Sequence, residues 1–174
     1  MTGNIANVKI GVCQVVFNGV DLGHTKDGVS FSYEPDIADV TVDQYGSSPI
    51  NKVLIGENLQ MKLSLAEQTL ANMKVALPGA SHETGAEGSR LEIGRNCGYE
   101  LDNEAHLLRL HPIANEASDL SEDVVIYKAV AVEAVETNYK VDEQRVLEVT
   151  FQALIDETKS EGNRLGHIGV DSIS

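Results

Sequence analysis

The residues of this 174-residue chain that are able to do chemistry are few and scattered. Five histidines stand at His24, His82, His106, His111 and His167. A zinc site needs spacings such as HxxxH, which bring two imidazoles to one face, and no pair here has that spacing. His106 and His111 flank a strand-like run, where a hydrogen bond or solvent suits them better than a metal. Asp36, Asp39 and Asp43 resemble part of a calcium loop, but the required glycine and terminal glutamate are missing. With 27 acidic residues in the chain, the carboxylates of "EPDIAD" do not mark a glycosidase pair. Cys97 with a distant histidine is too thin a basis for a thiol nucleophile, and Cys13 lies in an apolar run as a buried free thiol. "GENLQ" and "GRNCG" fit neither nucleotide-loop pattern. The expectation is a chain without catalytic residues, metal or cofactor.

Bulk properties narrow the class further. Thirteen basic residues against 27 acidic ones leave a formal net charge of −14. Free nucleic acid and anionic membranes bind basic footprints, so both are expected to be repelled. The hydrophobic fraction is 42% and tryptophan is absent, so the core must rest on Val, Leu, Ile and Ala. No apolar run approaches the roughly 20 residues that span a bilayer. "MTGNIANVKI" lacks the pattern of a secretory leader, so a cytosolic origin is expected.

The elements that would position any site are mostly strands. "VKIGVCQVVF", from Val8 to Phe17, reads as a strand, and the Asn-Gly and Asp-Gly pairs after it mark turns. In "VSFSYEPDIADVTVD", Val29, Phe31 and Tyr33 alternate with Ser30, Ser32 and Glu34. After Pro35 the alternation resumes, Val40 and Val42 opposing Asp39, Thr41 and Asp43. These segments predict a long hairpin with its tip at "EPD", one oily face and one polar, mostly acidic face. In "VLIGENLQMKLSLAE", Leu59, Met61, Leu63 and Leu65 oppose Asn58, Gln60, Lys62 and Ser64. "EQTLANMKVAL" changes to helical spacing, with Leu70, Met73 and Leu77 on one stripe and Pro78-Gly79 as its stop. Residues 79–103 read as a long surface loop and "EAHLLRLHP" as a strand. Val124–Val135 and Arg145–Ile155 form a final pair, in which Glu148, Thr150 and Gln152 oppose the apolar face. The tail 158–174 reads as a loose arm.

The fold class expected is mainly β, in a single domain spanning 1–174. It is an antiparallel sandwich or barrel with one flanking helix and a long hairpin. The polar faces admit two readings. One is an ordinary solvated sheet face. The other is a face lining a common interior, formed when free strand edges pair between copies in a ring.

The run from Asp27 to Leu77 resembles tail tube proteins of long-tailed, siphovirus-like bacteriophages. The resemblance is carried by the "DGVSFSYE" strand, the "DQYGSSPIN" turn, the "GENLQMKLSLAE" strand and the helix after it. It implies a structural virion protein whose hexameric rings stack into a hollow tube that conducts genomic DNA without binding it. The implied partners are copies of itself and the tape measure, tail tip and tail terminator proteins of the same phage. The implied location is the virion tail, assembled in the bacterial cytoplasm, with no membrane insertion. Carried over by position, the lumen candidates are Ser30, Ser32, Glu34, Asp39, Thr41 and Asp43, then Gln60, Lys62 and Ser64, then Glu148, Thr150 and Gln152. Lys62 departs from an acidic lining; either it pairs with a nearby carboxylate or its face lies elsewhere. Inter-ring candidates are Pro35 and Asp36 at the hairpin tip, and His82, Glu83, Arg90 and Arg95 in the 79–103 loop, with both terminal arms. A ring protein of a contractile injection or type VI secretion apparatus is the alternative within the class. A small acidic enzyme or ligand-binding module is the alternative outside it.

Overall fold

Branched apolar residues alternating with small polar ones favour extended chain, and the computed structural model of the protein is built largely of it. The structure describes residues 9, 11–133, 135–137 and 139–170. In chain order these form β1 (Cys13–Phe17), β2 (Val20–Asp21), β3 (Thr25–Thr41), β4 (Pro49–Leu65), α1 (Leu70–Ala76), β5 (Ser81–Gly85) and β6 (Gly88–Glu92). They continue with β7 (His106–Pro112), β8 (Val124–Ala131), β9 (Leu147–Ala153) and β10 (Gly166–Ile168). The main sheet runs β2-β1-β7-β8-β9-β4-β3, with β10 on β8 and every pairing antiparallel. The expected mainly β, antiparallel fold with one helix is what the chain adopts. The sheet does not close into a barrel: β2 and β3 are its two ends.

The sheet instead curls over its own core. Phe17 on β1 and Phe151 on β9 belong to strands separated by two others, yet their ring centroids are 5.1 Å apart. Flat strands at that remove would lie about 14 Å apart at the usual interstrand spacing. Around these rings are the fully buried Met61, Leu65, Leu108 and Leu147. β10 sits close against β8: a Cβ on Gly166 would lie 2.2 Å from the Val125 carbonyl oxygen, so only glycine fits there.

Helix α1 closes one end of this core. Thr69 caps it, its Oγ accepting from the Asn72 amide at 3.1 Å. The expected stripe of Leu70, Met73 and Leu77 is not the buried one; the buried helical positions are Asn72 and Ala76, with Met73 and Val75 packed partly beside them. The reason is Asn72 itself. Its buried amide donates to the Leu22 carbonyl at 3.0 Å and the Glu67 carbonyl at 2.8 Å, which turns that side of the helix inward. Asn72→Ala is expected to cost about 1–3 kcal/mol by leaving buried carbonyls unpaired, measured as a lower urea midpoint. An unchanged midpoint would mean water replaces the amide.

Several expected boundaries move. Val8 and Ile10, the start of the first expected strand, lie outside the described residues, and β1 begins at Cys13. Residues 79–103 are not simply a loop: β5 and β6 pair as a hairpin around a two-residue turn between Gly85 and Gly88. Arg95 ties the following segment back, donating to Ser81 Oγ at 2.8 Å and covering the Tyr99 ring. Too few apolar residues mark this hairpin for periodicity to detect it. The tail from residue 158 is not wholly an arm, since Gly166–Ile168 form β10; residues 171–174 lie outside the description.

Candidate functional site

The largest correction concerns the long hairpin. Pro35 is no tip; it sits inside β3, opposite Glu57 of β4. Proline lacks an amide hydrogen but is tolerated on an edge strand whose outer side needs no donor, and β3 is such a strand. The chain reverses at the 3₁₀ turn Asp43–Tyr45 and Gly46, so β3 and β4 form one ribbon of two 17-residue strands. β4 meets β9 only from Gln60 to Leu65, so the part from Pro49 to Leu59 runs on as a two-stranded ribbon beyond the sheet. At the usual rise per residue that projection is about 35 Å long.

Near the root of the ribbon the two faces are those the alternation predicts. Leu59, Met61, Leu63 and Leu65 are buried. On the opposite face lie cross-strand rows: Ser30 beside Lys62 and Thr150, Ser32 beside Gln60 and Gln152, and Ser64 beside Glu148. Glu34 follows, opposite Asn58, and Asn58 Oδ1 accepts from Gln152 Nε2 at 3.0 Å. Nine of the twelve lumen candidates therefore share one continuous polar face.

Asp39, Thr41 and Asp43 do not join them. With β3 unbroken through Pro35, its odd-numbered residues stay on the Phe31 and Tyr33 side, so Asp39 and Thr41 oppose the polar face. Asp43 lies in the turn. Asp39 is paired with Lys52 at 2.6 Å, its direct cross-strand neighbour. A bulge places Ile55 as the extra residue between the pairs Asp36–Gly56 and Ile37–Leu54. Beyond it both faces of the ribbon carry apolar side chains: Ile37 and Leu54 on one, Val40 and Val53 on the other. All four are exposed, and so are Ile50 and Ile55, the latter at 62%.

Lys62, the cation on the polar face, has a partner on the chain leaving β8. Its ammonium lies 3.3 Å from Glu133 Oε1, while the Thr150 hydroxyl donates to Glu133 Oε2. The Thr150 hydrogen bond, then that of Lys62, holds the Glu133 carboxyl below the usual glutamate range. A lowered folded-state value means that the ionised form stabilises the fold. That contribution is whole above the ordinary value of 4.5 and is lost as pH falls through the lower folded value. Glu133→Gln is therefore expected to lower the melting temperature slightly at neutral pH and to match the parent in strong acid. A gap that persists or widens in acid would sink this assignment. The effect is small because both side chains are about half exposed and water screens the pair. Glu133 falls within the expected strand Val124–Val135, but β8 ends at Ala131, and no local pattern in the sequence pairs Glu133 with Lys62.

The inter-ring candidates fall in two places. Pro35 and Asp36 lie mid-ribbon. His82, Glu83 and Arg90 lie on the β5–β6 hairpin, where Glu83 faces Arg90 directly, and Arg95 anchors the segment behind it. No ion pair links these two places to each other among the described residues.

Of the five histidines, His111 is the most enclosed. Its Nδ1 lies 2.6 Å from Asp123 Oδ1, and Arg109 Nε is 3.8 Å from Asp123 Oδ2. Asp123 is 1% exposed, so the pair clamps β7 to the segment entering β8. Burial pushes the Cys13 thiol up, away from the reactive thiolate. Among the described residues no three His, Cys, Asp or Glu side chains converge as a metal site. No helix of the described chain is long and apolar enough to cross a membrane.

Under the ribbon, on its Tyr33 side, lies an open notch of about 850 Å³. Its walls include Tyr33, Leu54, Leu59, Ile155 and Leu165, and Arg164 and His167 line the β10 side. The class defined by this architecture is an open, curled antiparallel sheet with one helix and a projecting, two-sided apolar ribbon. No protein-family model matches the chain, and no curated protein matches it.

Proposed function

We propose that this chain is a structural virion protein, the repeating subunit of a long-tailed phage tail tube. Copies join in hexameric rings that stack into a hollow conduit for the genome. The observation that supports it is the β3–β4 ribbon. An isolated two-stranded hairpin is marginal in water, and this one leaves two strand edges and apolar residues on both faces uncovered. Such a surface is costly on a free monomer and is satisfied by pairing with further copies.

The polar face supports the lumen role. Ser30, Ser32, Glu34, Gln60 and Gln152 offer hydroxyls, amides and a carboxylate, and Lys62 is neutralised by Glu133. A lining of that kind gives phosphates no cation to condense on, so DNA slides past it. Catalysis plays no part in this role, and the tape measure, tip and terminator proteins supply length and ends.

Negative-stain electron microscopy of the concentrated protein across a salt series tests the reading. Hollow rods or stacked rings, increasing as salt screens repulsion between chains of charge −14, are expected. Uniform small particles at every salt and protein concentration, even with preformed tail tips added as nuclei, would overturn it.

A further inference from the structure

Of the eleven asparagines in the chain, Asn18 is the one followed by glycine. Phe17 of β1 pairs with Val20 of β2, so Asn18 and Gly19 are the whole turn between them, with φ of 51° and 76°. A two-residue hairpin turn of this kind requires positive φ at both positions, and asparagine and glycine reach it with least strain. That need accounts for the two residue types. It also sets a carboxamide beside a backbone nitrogen that nothing shields. Both residues are exposed. Among the described residues neither the Asn18 carboxamide nor the Gly19 N–H has a hydrogen-bond partner, although the Asn18 N–H donates to the Leu107 carbonyl at 2.9 Å. A Cβ on Gly19 would meet nothing within 4 Å, so no neighbour stands over its nitrogen. The other exposed asparagines among the described residues, Asn51, Asn96 and Asn103, precede Lys52, Cys97 and Glu104, whose side chains crowd the nitrogen that follows.

We propose that Asn18 is a site of spontaneous covalent modification, deamidation through a cyclic imide. The Gly19 nitrogen gives its proton to solvent base and attacks Asn18 Cγ. The new N–Cγ bond closes the ring, and the side-chain nitrogen leaves as ammonia. Water then opens the imide at either carbonyl. Opening at Cγ gives aspartate, and opening at the backbone carbonyl gives isoaspartate, in which the main chain runs through the former side chain. Each product carries one more negative charge, and nothing is oxidised or reduced.

The two products act differently on the fold. Aspartate keeps the backbone length and tolerates positive φ. Isoaspartate inserts a methylene into a turn whose two ends are fixed by strand pairing. Strand β2 is only two residues long, held by the pairs Phe17–Val20 and Val16–Asp21. Directly after it comes Leu22, which is 1% exposed. The Leu22 N–H donates to the Val15 carbonyl at 2.9 Å, and its carbonyl accepts from the Asn72 amide at 3.0 Å. The added backbone atom therefore displaces a core residue as well as the turn. The site does not depend on whether the chain builds a tube.

Ageing the intact protein in neutral and mildly alkaline buffers at physiological temperature tests this. Trypsin releases residues 10–26 as one peptide whose only asparagine is Asn18. Mass spectrometry is expected to show Asn18 converting several-fold faster than Asn51, Asn96 or Asn103, and faster again as pH rises. Electron-transfer fragmentation separates the isomers, with isoaspartate expected to exceed aspartate. Conversion at Asn18 no faster than at those other exposed asparagines would overturn the site and mean that strand pairing holds the turn closed. Aspartate as the only product would overturn the imide route, since direct hydrolysis of the carboxamide gives no isoaspartate. Anion exchange isolates the aged protein by its added charge, and Asn18→Asp supplies the aspartate form alone. The aged protein is expected to unfold at a lower urea concentration than Asn18→Asp. Equal midpoints would overturn the link between the turn and Leu22.

Discussion

Replacing Ile37 and Val53 together with aspartate is expected to abolish self-association while leaving the folded subunit almost intact. Both residues are nearly half exposed on the projecting ribbon, one on each face. Neither belongs to the core around Phe17 and Phe151. The monomer therefore loses little beyond strand propensity, about 1 kcal/mol at each of the two positions. In an assembly that covers both faces, the change removes two large apolar contacts per subunit and desolvates two carboxylates. Burying one such side chain contributes about 1.5–3 kcal/mol, so the pair should weaken each contact by more than about a hundredfold. Sedimentation velocity across a concentration series reads the association, and a urea titration reads the fold. Parental association in the double variant would remove the ribbon from the assembly surface. Loss of both association and fold would instead place these residues in the monomer's own core.

Phe151→Ala is expected to produce the largest loss of stability in the molecule. Its ring is fully buried at the centre of the curl, against the Phe17 ring and opposite Met61 in the β4–β9 register. Truncating a buried phenylalanine costs about 3–5 kcal/mol in lost transfer energy plus the cavity left behind. Small domains are stable by roughly 5–15 kcal/mol in total, so the variant should be marginal at room temperature. Equilibrium urea unfolding followed by far-ultraviolet circular dichroism measures it. A loss below about 1 kcal/mol would mean that the sheet collapses onto the gap, and that the contact between β1 and β9 side chains is not what holds the curl.

The strand alternation was legible wherever one face is core. Leu59, Met61, Leu63 and Leu65, and again Leu147, Val149, Phe151 and Ala153, lie on the face their spacing assigns. Period-2 patterning reports a half-buried strand directly, because each residue's solvent exposure follows its parity. Pro35 misled because proline is a reliable break only where both strand edges are paired. That error split β3 and put Asp39 and Thr41 on the wrong face. The same residues read as one strand would have given the right parity, but the edge position of β3 is a property of the whole sheet. The β5–β6 hairpin was hidden for a different reason: it packs little apolar surface, so its turn glycines looked like loop.

What the sequence alone determined is the material of the protein: antiparallel strands, one helix and a strongly acidic composition. Those follow from local patterns, where each side chain's preference is read within a few neighbours. Tertiary structure decided which strands became edges, where the ribbon outruns the sheet, that Asn72 rather than Leu70 faces inward, and that Glu133 neutralises Lys62. Each of these joins residues far apart in the chain, and their meeting depends on strand order and curl, which no local pattern encodes. The exposed Ile37, Val40, Ile50 and Val53 show the difference most directly. Their apolar character is plain in the sequence, and only the fold shows that nothing within the described chain covers them.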